Sequence, residues 1–304
     1  MHDTFEARVT ATYGRHLLVR DASGKELEAR PFGRGLTVVC GDSVRCRADP
    51  HHDEIHVVEI IKRTTALYRS NLRGVTEPVV ANLSRLLVVL APVPVPDLFV
   101  VDRYLAAAES VGIAGLLVVN KSELGIDAEL AAQLEAYGAA GYRWFPCSVR
   151  TGAGIEAVLE VCAGQVAALV GQSGVGKSSL VERLIPESGV EVGDLVREEE
   201  GRHTTTASRM FDLPRGGHLI DSPGVRDFAP AVDRLDGRSL GFVEVERLAP
   251  QCRFNDCRHM REPGCAVRDA TESGGMSPRR YESYRRLRRL FEELTAARGP
   301  ERRR

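Results

Sequence analysis

Short runs of alternating apolar and polar residues fill the first 65 positions of the chain, and glycine-containing turns separate them. The runs are 6–13, 16–20, 36–39, 44–47 and 55–61. Alternation of this kind gives a strand one buried face and one solvated face. Short strands at this spacing predict a five-stranded OB β-barrel over residues 1–65.

From about residue 82 the pattern changes to continuous apolar strands that alternate with helical segments. The predicted strands are 85–91, 113–119, 142–145, 166–170 and 218–220, and the predicted helices are 97–111, 128–137, 155–161 and 177–184. This alternation predicts a parallel sheet with helices on both faces. Ligands bind beyond the carboxyl ends of the strands in such sheets. We therefore expect functional residues in the loops after Val119, Pro146, Val170 and Ile220.

A third pattern begins after residue 235, where a loop rich in cysteine and histidine precedes an arginine-rich helix that starts at Pro278. Apolar side chains recur on this helix at helical spacing and predict a buried stripe, which consists of Tyr281, Tyr284, Leu287, Leu290, Phe291 and Leu294. Together the three patterns predict an α/β protein with three domains, at residues 1–65, 66–235 and 236–304.

Composition and charge exclude several classes of protein. The chain has 304 residues, and 41 Lys and Arg against 42 Asp and Glu leave a formal net charge of -1, so any basic surface must be local. No apolar run reaches the roughly 18 residues of a membrane span, and no secretory signal is visible. Seven cysteines, an odd number, disfavour a disulfide framework. We expect a cytoplasmic protein without a membrane segment.

A phosphate-binding loop is predicted directly after strand 166–170. Lys177 would reach the β- and γ-phosphates of a nucleotide, and the Ser178 hydroxyl would ligate Mg²⁺, while the glycines let backbone N–H groups surround phosphate oxygens. An idle glycine-rich turn is the alternative, and the strand before and helix after the loop argue against it. The nucleotide-binding candidates are Gly171, Gln172, Ser173, Gly174, Val175, Gly176, Lys177, Ser178 and Ser179, of which the first eight match G-x-x-x-x-G-K-[ST].

A second phosphate motif, D-S-P-G, begins at Asp221 and ends at Gly224. An acid at the end of a strand can hold Mg²⁺, as a Walker-B acid does. The N–H of Gly224 can contact a γ-phosphate and sense its loss. Alone the motif is usually a turn, but behind a P-loop it indicates a nucleotide switch.

The segment G-R-H-T-T-T at 201–206 lies between these two motifs. A threonine here can complete the Mg²⁺ shell and order a switch loop when the γ-phosphate is present. Three adjacent threonines leave the choice open, and we favour Thr205. The start of a threonine-rich strand is the alternative interpretation.

Recognition of a guanine base is predicted for two loops that precede the P-loop. Asn120, Lys121 and Glu123 resemble the N-K-x-D signature of GTPases, with Glu in place of Asp. A carboxylate there accepts hydrogen bonds from the guanine N1–H and exocyclic amine, a donor pair that adenine lacks. Ser148 belongs to C-S-V-R-T-G, which resembles the loop that packs the base from the other side.

The order of these motifs is the most informative feature of the chain. The base-reading residues at 120 and 148 come before the P-loop at 171, whereas in ordinary GTPases they come after the switches. This order is a circular permutation, which is feasible where natural termini lie close together at the surface.

With this order, the chain resembles the ribosome-small-subunit-dependent GTPases of bacteria, the RsgA or YjeQ family, over nearly its whole length. G-Q-S-G-V-G-K-S-S, G-R-H-T-T-T, D-S-P-G and a cysteine cluster carry the resemblance. The departures from the family pattern are Glu123 for Asp, Ser222-Pro-Gly-Val225 where D-T-P-G-F is common, and Asn82-Leu-Ser-Arg85 where A-N-x-D-Q is common.

The resemblance implies an N-terminal OB domain, a circularly permuted GTPase domain that uses GTP with Mg²⁺, and a C-terminal zinc domain. It also implies that His203 positions the attacking water, because Val225 stands where many GTPases carry a water-orienting Gln. An exposed loop histidine without a catalytic role is the alternative. The implied partners are the 30S subunit and its 16S rRNA, and we expect a monomer.

A zinc site is predicted from four potential ligands that lie within fourteen residues: Cys252, Cys257, His259 and Cys265. Three thiolates and one imidazole close a tetrahedral Zn²⁺ shell with no position for water, so the site would be structural. A disulfide is the alternative, and it would leave one of the three cysteines unpaired. The remaining cysteines are expected to be small buried hydrophobes: Cys40, Cys46, Cys147 and Cys162.

The C-terminal helix and the tail behind it carry a local excess of positive charge. Residues 279–304 hold ten Arg and four Glu. These arginines either contact rRNA phosphates or form a solvated helix face followed by a tail. The family resemblance favours contact with rRNA. The arginines expected to flank the apolar stripe are Arg279, Arg280, Arg285, Arg286, Arg288 and Arg289.

We therefore expect an Mg²⁺-dependent GTPase that binds the small ribosomal subunit, converts GTP to GDP and phosphate, and assists late subunit maturation. Hydrolysis should be slow alone and faster on the subunit. An ATPase or small-molecule kinase with the same P-loop is the first rival, and Asn120 and Lys121 argue against it. The second rival is a non-enzymatic RNA-binding adaptor in which GTP only stabilises the fold.

Overall fold

The computed structural model describes residues 4–33, 35–49, 54–70, 76–185, 207–226 and 229–298. The predicted switch segment 201–206, with His203 and Thr205, lies outside the described residues.

Five strands form an N-terminal barrel: β1 (Thr4–Tyr13), β2 (His16–Asp21), β3 (Glu26–Pro31), β4 (Ser43–Asp49) and β5 (Glu54–Ile60). The strand order is β1-β2-β3-β5-β4, and β4 pairs back onto β1, which closes the sheet. Val9, Val19, Val44 and Val57 are fully buried inside it. The prediction of a five-stranded barrel is confirmed.

One strand predicted for this barrel is wrong. Residues 36–39 are not a strand, and the third strand is β3 instead. The sequence of β3 alternates charged, exposed residues with Leu27, Ala29 and Pro31, of which only Ala29 is fully buried. Residues 36–39 lead into a tight turn, in which the buried Asp42 carboxylate accepts the Val39 N–H at 2.9 Å and the Arg63 guanidinium at 2.7 Å.

A separate hairpin follows the barrel and contains β6 (Ala66–Ser70) and β7 (Thr76–Ala81). The central sheet then contains β8 (Arg85–Leu90), β9 (Ala114–Val119), β10 (Trp144–Pro146), β11 (Val166–Gly171), β12 (Ser208–Asp212) and β13 (His218–Asp221). The order is β10-β9-β8-β11-β13-β12, parallel except for β12. Strand β12, the last strand of the central sheet, was not predicted. It also pairs with β1, so the barrel and the central sheet are continuous.

The helices are α1 (Leu98–Glu109), α2 (Ala128–Ala140), α3 (Ile155–Cys162), α4 (Lys177–Leu184), α5 (Pro223–Arg226), α6 (Val243–Leu248), α7 (Ala266–Glu272) and α8 (Pro278–Arg298). Alternate residues of β8 face the two sides of the sheet. Leu86 and Val88 pack with α1 and α2, and Leu87 and Val89 pack with α3 and α4. The predicted parallel sheet with helices on both faces is confirmed. None of the described helices is long and apolar enough to cross a membrane.

The C-terminal part has its own core, formed by α6, α7, α8 and the cysteine-rich loop. From the predicted stripe of α8, Tyr284 and Leu287 are fully buried, whereas Leu294 is 38% exposed. This core also contains Ala106 and Ala107 of α1. The C-terminal part therefore packs directly on the central sheet's first helix. The domain boundaries at residues 66 and 236 remain predictions.

Candidate nucleotide site and metal centre

The P-loop connects β11 to α4 and depends on three glycines in unusual backbone conformations. Gly171, Gly174 and Gly176 have φ of 149°, 82° and 91°. A Cβ at Gly171 would lie 2.2 Å from the Val89 carbonyl oxygen, and one at Gly176 would lie 2.4 Å from Nδ2 of Asn120. Only glycine fits these positions, which gives the predicted motif a steric reason.

Lys177 is the first residue of α4, and its side chain folds back over the P-loop. Its Nζ donates to the carbonyl oxygens of Gly171 at 2.6 Å and Gln172 at 3.0 Å. The residue is only 8% exposed. Val175 is buried, whereas four serine and glycine positions of the loop and the first turn of α4 face solvent: Ser173, Gly174, Ser178 and Ser179.

The loop after β8 forms a wall of this site that the sequence analysis did not identify. The backbone N–H of Asp97 donates to Oε1 of Gln172 at 3.0 Å. Nζ of Lys121 donates to the carbonyl oxygens of Val93 at 2.9 Å and Gly174 at 2.7 Å. The sequence could have indicated this loop, because it follows the carboxyl end of a predicted strand, where ligands bind in such sheets.

The two base-reading loops converge on the P-loop from β9 and β10. Asn120 is 2% exposed; its Nδ2 donates to the Val175 carbonyl at 2.9 Å, and its Oδ1 accepts the Val149 N–H at 3.3 Å. Ser148 is fully buried, and its Oγ accepts the Thr151 N–H at 3.1 Å. Residues up to 55 positions apart in sequence thus meet at one edge of the site.

Glu123 presents an acceptor at this edge. Its Oε1 accepts from Nε of Arg150 at 3.0 Å, and its Oε2 is buried. The Ser148 hydroxyl, a hydrogen bond within Glu123 itself and the Arg150 guanidinium lower the pKa of the Glu123 carboxyl. The side chain is therefore an ionised carboxylate.

Asp221 ends β13 and faces the start of α4. Its carboxylate and the Ser178 hydroxyl are both bonded to the guanidinium of Arg226, which the sequence analysis did not single out. Gly224 lies in α5, where a Cβ would approach Val79 of β7 to 3.2 Å. The structure thus brings Asp221 and Ser178 to one place, and it does not describe Thr205 or His203.

The four predicted metal ligands form one cluster. The ligand atoms of Cys252, Cys257, His259 and Cys265 all lie within 4.8 Å of one another. Nδ1 of His259 lies 3.5 Å from Sγ of both Cys252 and Cys265. Burial lowers the pKa of His259, which favours the neutral, ligating imidazole. The cluster can hold one metal ion.

Helix α8 supports the loop that carries this cluster. The Tyr281 hydroxyl donates to the His259 carbonyl at 2.8 Å, and the Tyr284 hydroxyl donates to the Arg258 carbonyl at 3.0 Å. His259 has a left-handed backbone, with φ of 59°. The bonds from α8 hold the loop in this uncommon conformation.

Three of the arginines expected to flank the apolar stripe of α8 are paired inside the protein. Arg280 is 1% exposed; its Nη1 donates to Asp102 of α1 at 2.7 Å, and its Nη2 donates to Glu244 of α6 at 2.6 Å. Arg279 also donates to Asp102, at 2.5 Å. Arg288 is 4% exposed and donates to the carbonyls of residues 237 and 238.

The family model described as RsgA GTPase matches residues 60–230. The chain belongs to the RsgA GTPase family. Relatives named small ribosomal subunit biogenesis GTPase RsgA include one from Azotobacter vinelandii, 44% identical over 255 residues, which cover 82% of this chain and 74% of the relative. One from Hahella chejuensis is 42% identical over 298 residues, which cover 95% of this chain and 85% of the relative.

Solved structures agree with membership of the RsgA family. The crystal structure of YjeQ from Thermotoga maritima has a TM-score of 0.74 and 25% identity, and the match covers 96% of this chain and 99% of that one. The structure of YloQ, a circularly permuted GTPase, has a TM-score of 0.71 and 23% identity, with 96% of each chain covered. The resemblance inferred from motif order is confirmed, and so is the circular permutation.

Proposed function

We propose that this chain hydrolyses GTP to GDP and phosphate on the small ribosomal subunit and assists the late maturation of that subunit. The observation that carries the proposal is the convergence of Asn120, Glu123, Ser148, Lys177 and Asp221 at the carboxyl edge of one parallel sheet. The names of the relatives supply the subunit as the place of action. A role in subunit assembly would place the chain in the cytoplasm.

Glu123 is the proposed reader of guanine. The two oxygens of its ionised carboxylate can accept from the adjacent N1–H and amine donors of that base. Adenine would leave the carboxylate unpaired, which is a costly mismatch in a buried site. Asn120 and Lys121 fix the distance between this reader and the P-loop through their bonds to Val175 and Gly174.

Ser178 and Asp221 are the proposed protein ligands of Mg²⁺. Hydroxyl and carboxylate oxygens are the hard donors that this ion prefers, and one cationic group of the protein already bonds both of them. When bound with GTP, the ion would neutralise phosphate charge. Thr205, beyond the described residues, is proposed as the switch ligand, and the Gly224 N–H as the γ-phosphate contact.

Slow hydrolysis by the isolated chain is proposed from Val225. This residue follows Gly224, is 1% exposed and packs in the sheet core, so it can neither reach nor orient a water molecule. Another group must position the nucleophile, and we assign this role to His203 of the switch segment. Ordering of that segment by the small subunit would then accelerate turnover.

The cluster at Cys252, Cys257, His259 and Cys265 is proposed to hold one structural zinc ion. Separations of 3.5 Å between His259 Nδ1 and two sulfur atoms fit a tetrahedral shell with bonds of about 2.0–2.3 Å. Three sulfurs and one nitrogen are a donor set typical of zinc. Protein side chains would fill all four coordination positions of the ion. The ion would therefore hold the loop in place.

Contact with 16S rRNA is proposed for the part of α8 that faces solvent. Arg286 and Arg289 have side chains that are 58% and 51% exposed, and Arg285 is 36% exposed. Each of them lies near Glu282, so the ion pairs are weak surface pairs that phosphate can displace. We propose that the chain makes these contacts as a monomer.

Replacement of Glu123 by alanine tests the guanine assignment. We expect the affinity for GTP to fall about 100-fold while the affinity for ATP changes little, because two hydrogen bonds to a charged acceptor are lost for guanine alone. Competition of GTP and ATP for a bound fluorescent nucleotide measures both affinities. Glu129→Ala on the exposed face of α2 is the matched control. An unchanged preference for GTP in Glu123→Ala would contradict the assignment.

A further inference from the structure

Arg226 bonds both groups that are assigned to the magnesium ion. Its Nε and Nη2 donate to the two carboxylate oxygens of Asp221 at 2.6 and 2.5 Å, and its Nη1 donates to Oγ of Ser178 at 2.8 Å. The guanidinium thus makes a two-pronged contact with the acid at the end of β13 and a third bond to the first turn of α4. Such paired contacts are strong and directional.

The charge of Asp221 explains why a cation is needed there. The Asp221 side chain is only 10% exposed, and a largely buried carboxylate without a partner is costly. Arg226 supplies the compensating charge from the same turn, since its backbone N–H donates to the Ser222 carbonyl at 2.9 Å. The Asp221 oxygens and the Ser178 hydroxyl are directed at the guanidinium and have to be released before another cation can use them.

We propose that Arg226 is a built-in counter-cation of the metal site, which holds Asp221 and Ser178 until Mg²⁺ with nucleotide replaces it. The inference rests on the assignment of these two residues to Mg²⁺ under the proposed function. As a consequence, only molecules in which Arg226 has left Asp221 can bind the metal. The apparent affinity for Mg²⁺ falls in proportion to the fraction of molecules in which Arg226 is still bonded to Asp221.

The surroundings of α5 show which part moves. Val225 is 1% exposed and belongs to the core with Leu67 and Val79 of the β6–β7 hairpin, so the backbone of α5 is anchored. The Arg226 side chain is 22% exposed and has solvent on one side. Rotation of this side chain alone therefore frees the metal ligands, and the charge that it carries becomes available outside the site.

Arg226→Gln tests the inference through the metal dependence of nucleotide release, a binding measurement that needs no turnover. The dissociation rate of a fluorescent N-methylanthraniloyl GDP is measured across a range of Mg²⁺ concentrations. We expect half-maximal slowing at about tenfold lower Mg²⁺ in Arg226→Gln than in the unmodified chain. Arg226→Lys, which keeps the charge but loses the two-pronged contact, should lie between them.

Two further variants separate failure of this inference from failure of the proposed function. Arg215→Gln removes an exposed arginine that pairs with Glu156 and Glu160 of α3, and it should behave like the unmodified chain. Asp221→Asn should abolish the response to Mg²⁺. If it does so and Arg226→Gln needs as much Mg²⁺ as the unmodified chain or more, the counter-cation is refuted and the metal site stands. A normal response in Asp221→Asn would overturn both.

Discussion

Lys177→Ala is expected to lower the affinity for GTP about 100-fold while the fold persists. The ammonium is held over the P-loop by two carbonyl oxygens, at 2.6 and 3.0 Å, so it is already placed for phosphate oxygens. Bonds between a charged donor and a phosphate are worth about 1.5–3 kcal/mol each, and about 3 kcal/mol in total corresponds to roughly 100-fold. Isothermal titration with a non-hydrolysable GTP analogue measures the loss.

A matched control separates this local effect from a general loss of positive charge. Lys62→Ala changes an exposed lysine that lies between β5 and β6, far along the chain from the P-loop. We expect its affinity for the analogue to stay within a factor of two. An affinity near that of the unmodified chain in Lys177→Ala, with the melting temperature unchanged, would show that the loop does not bind phosphate as proposed.

Arg280→Ala is expected to lower the free energy of unfolding by about 3–5 kcal/mol, because it removes the guanidinium from the buried Glu244 carboxylate and leaves the buried Asp102 with Arg279 as its remaining cation. Although burial alone lowers the pKa of Arg280, its bonds to Glu244 and the charge of Asp102 raise it above the ordinary arginine value. The guanidinium carbon also lies 5.1 Å from the ring centres of Tyr137 and Phe242. Urea unfolding followed by circular dichroism measures the change.

Arg286→Ala on the same helix is the control for Arg280→Ala. Its side chain is 58% exposed and lies 3.5 Å from Glu282 in a surface pair, so the expected change is below about 1 kcal/mol. Similar small losses in both variants would mean that the buried network between α1, α6 and α8 does not hold the C-terminal part on the sheet.

The motif loops could be predicted because their chemistry is local. Gly171 and Gly176 are required by the close approach of the Val89 carbonyl and of the Asn120 side chain, and the helix over 177–184 begins and ends as the sequence predicts. The strand 26–31 does alternate in the sequence, but three of its six residues are charged and exposed, so its signal is weaker than that of the apolar run 36–39. It is held by pairing with β2 and β5, which the local sequence does not show.

The arginines of α8 show a different limit of sequence reasoning. Charged residues are expected at the surface unless they are paired, and the partners of Arg280 lie 36 and 178 positions away, on α6 and α1. The helical period places Arg280 on the face of the buried Tyr284 and Leu287 and Arg286 outside it, but it does not show which acids pair with Arg280. Arg226 is similar: it lies two positions after the D-S-P-G motif, but only the folded chain brings it to Ser178, 48 positions earlier.

We propose that this chain is a guanine-specific hydrolase whose turnover depends on the small ribosomal subunit. The most direct test measures phosphate release from GTP and from ATP by the purified chain, alone, with purified small subunits and with purified large subunits. We expect the chain to hydrolyse GTP slowly in the absence of subunits and about tenfold faster or more with small subunits only. We expect no comparable hydrolysis of ATP. Equal rates with and without small subunits, or equal use of ATP, would contradict this proposal.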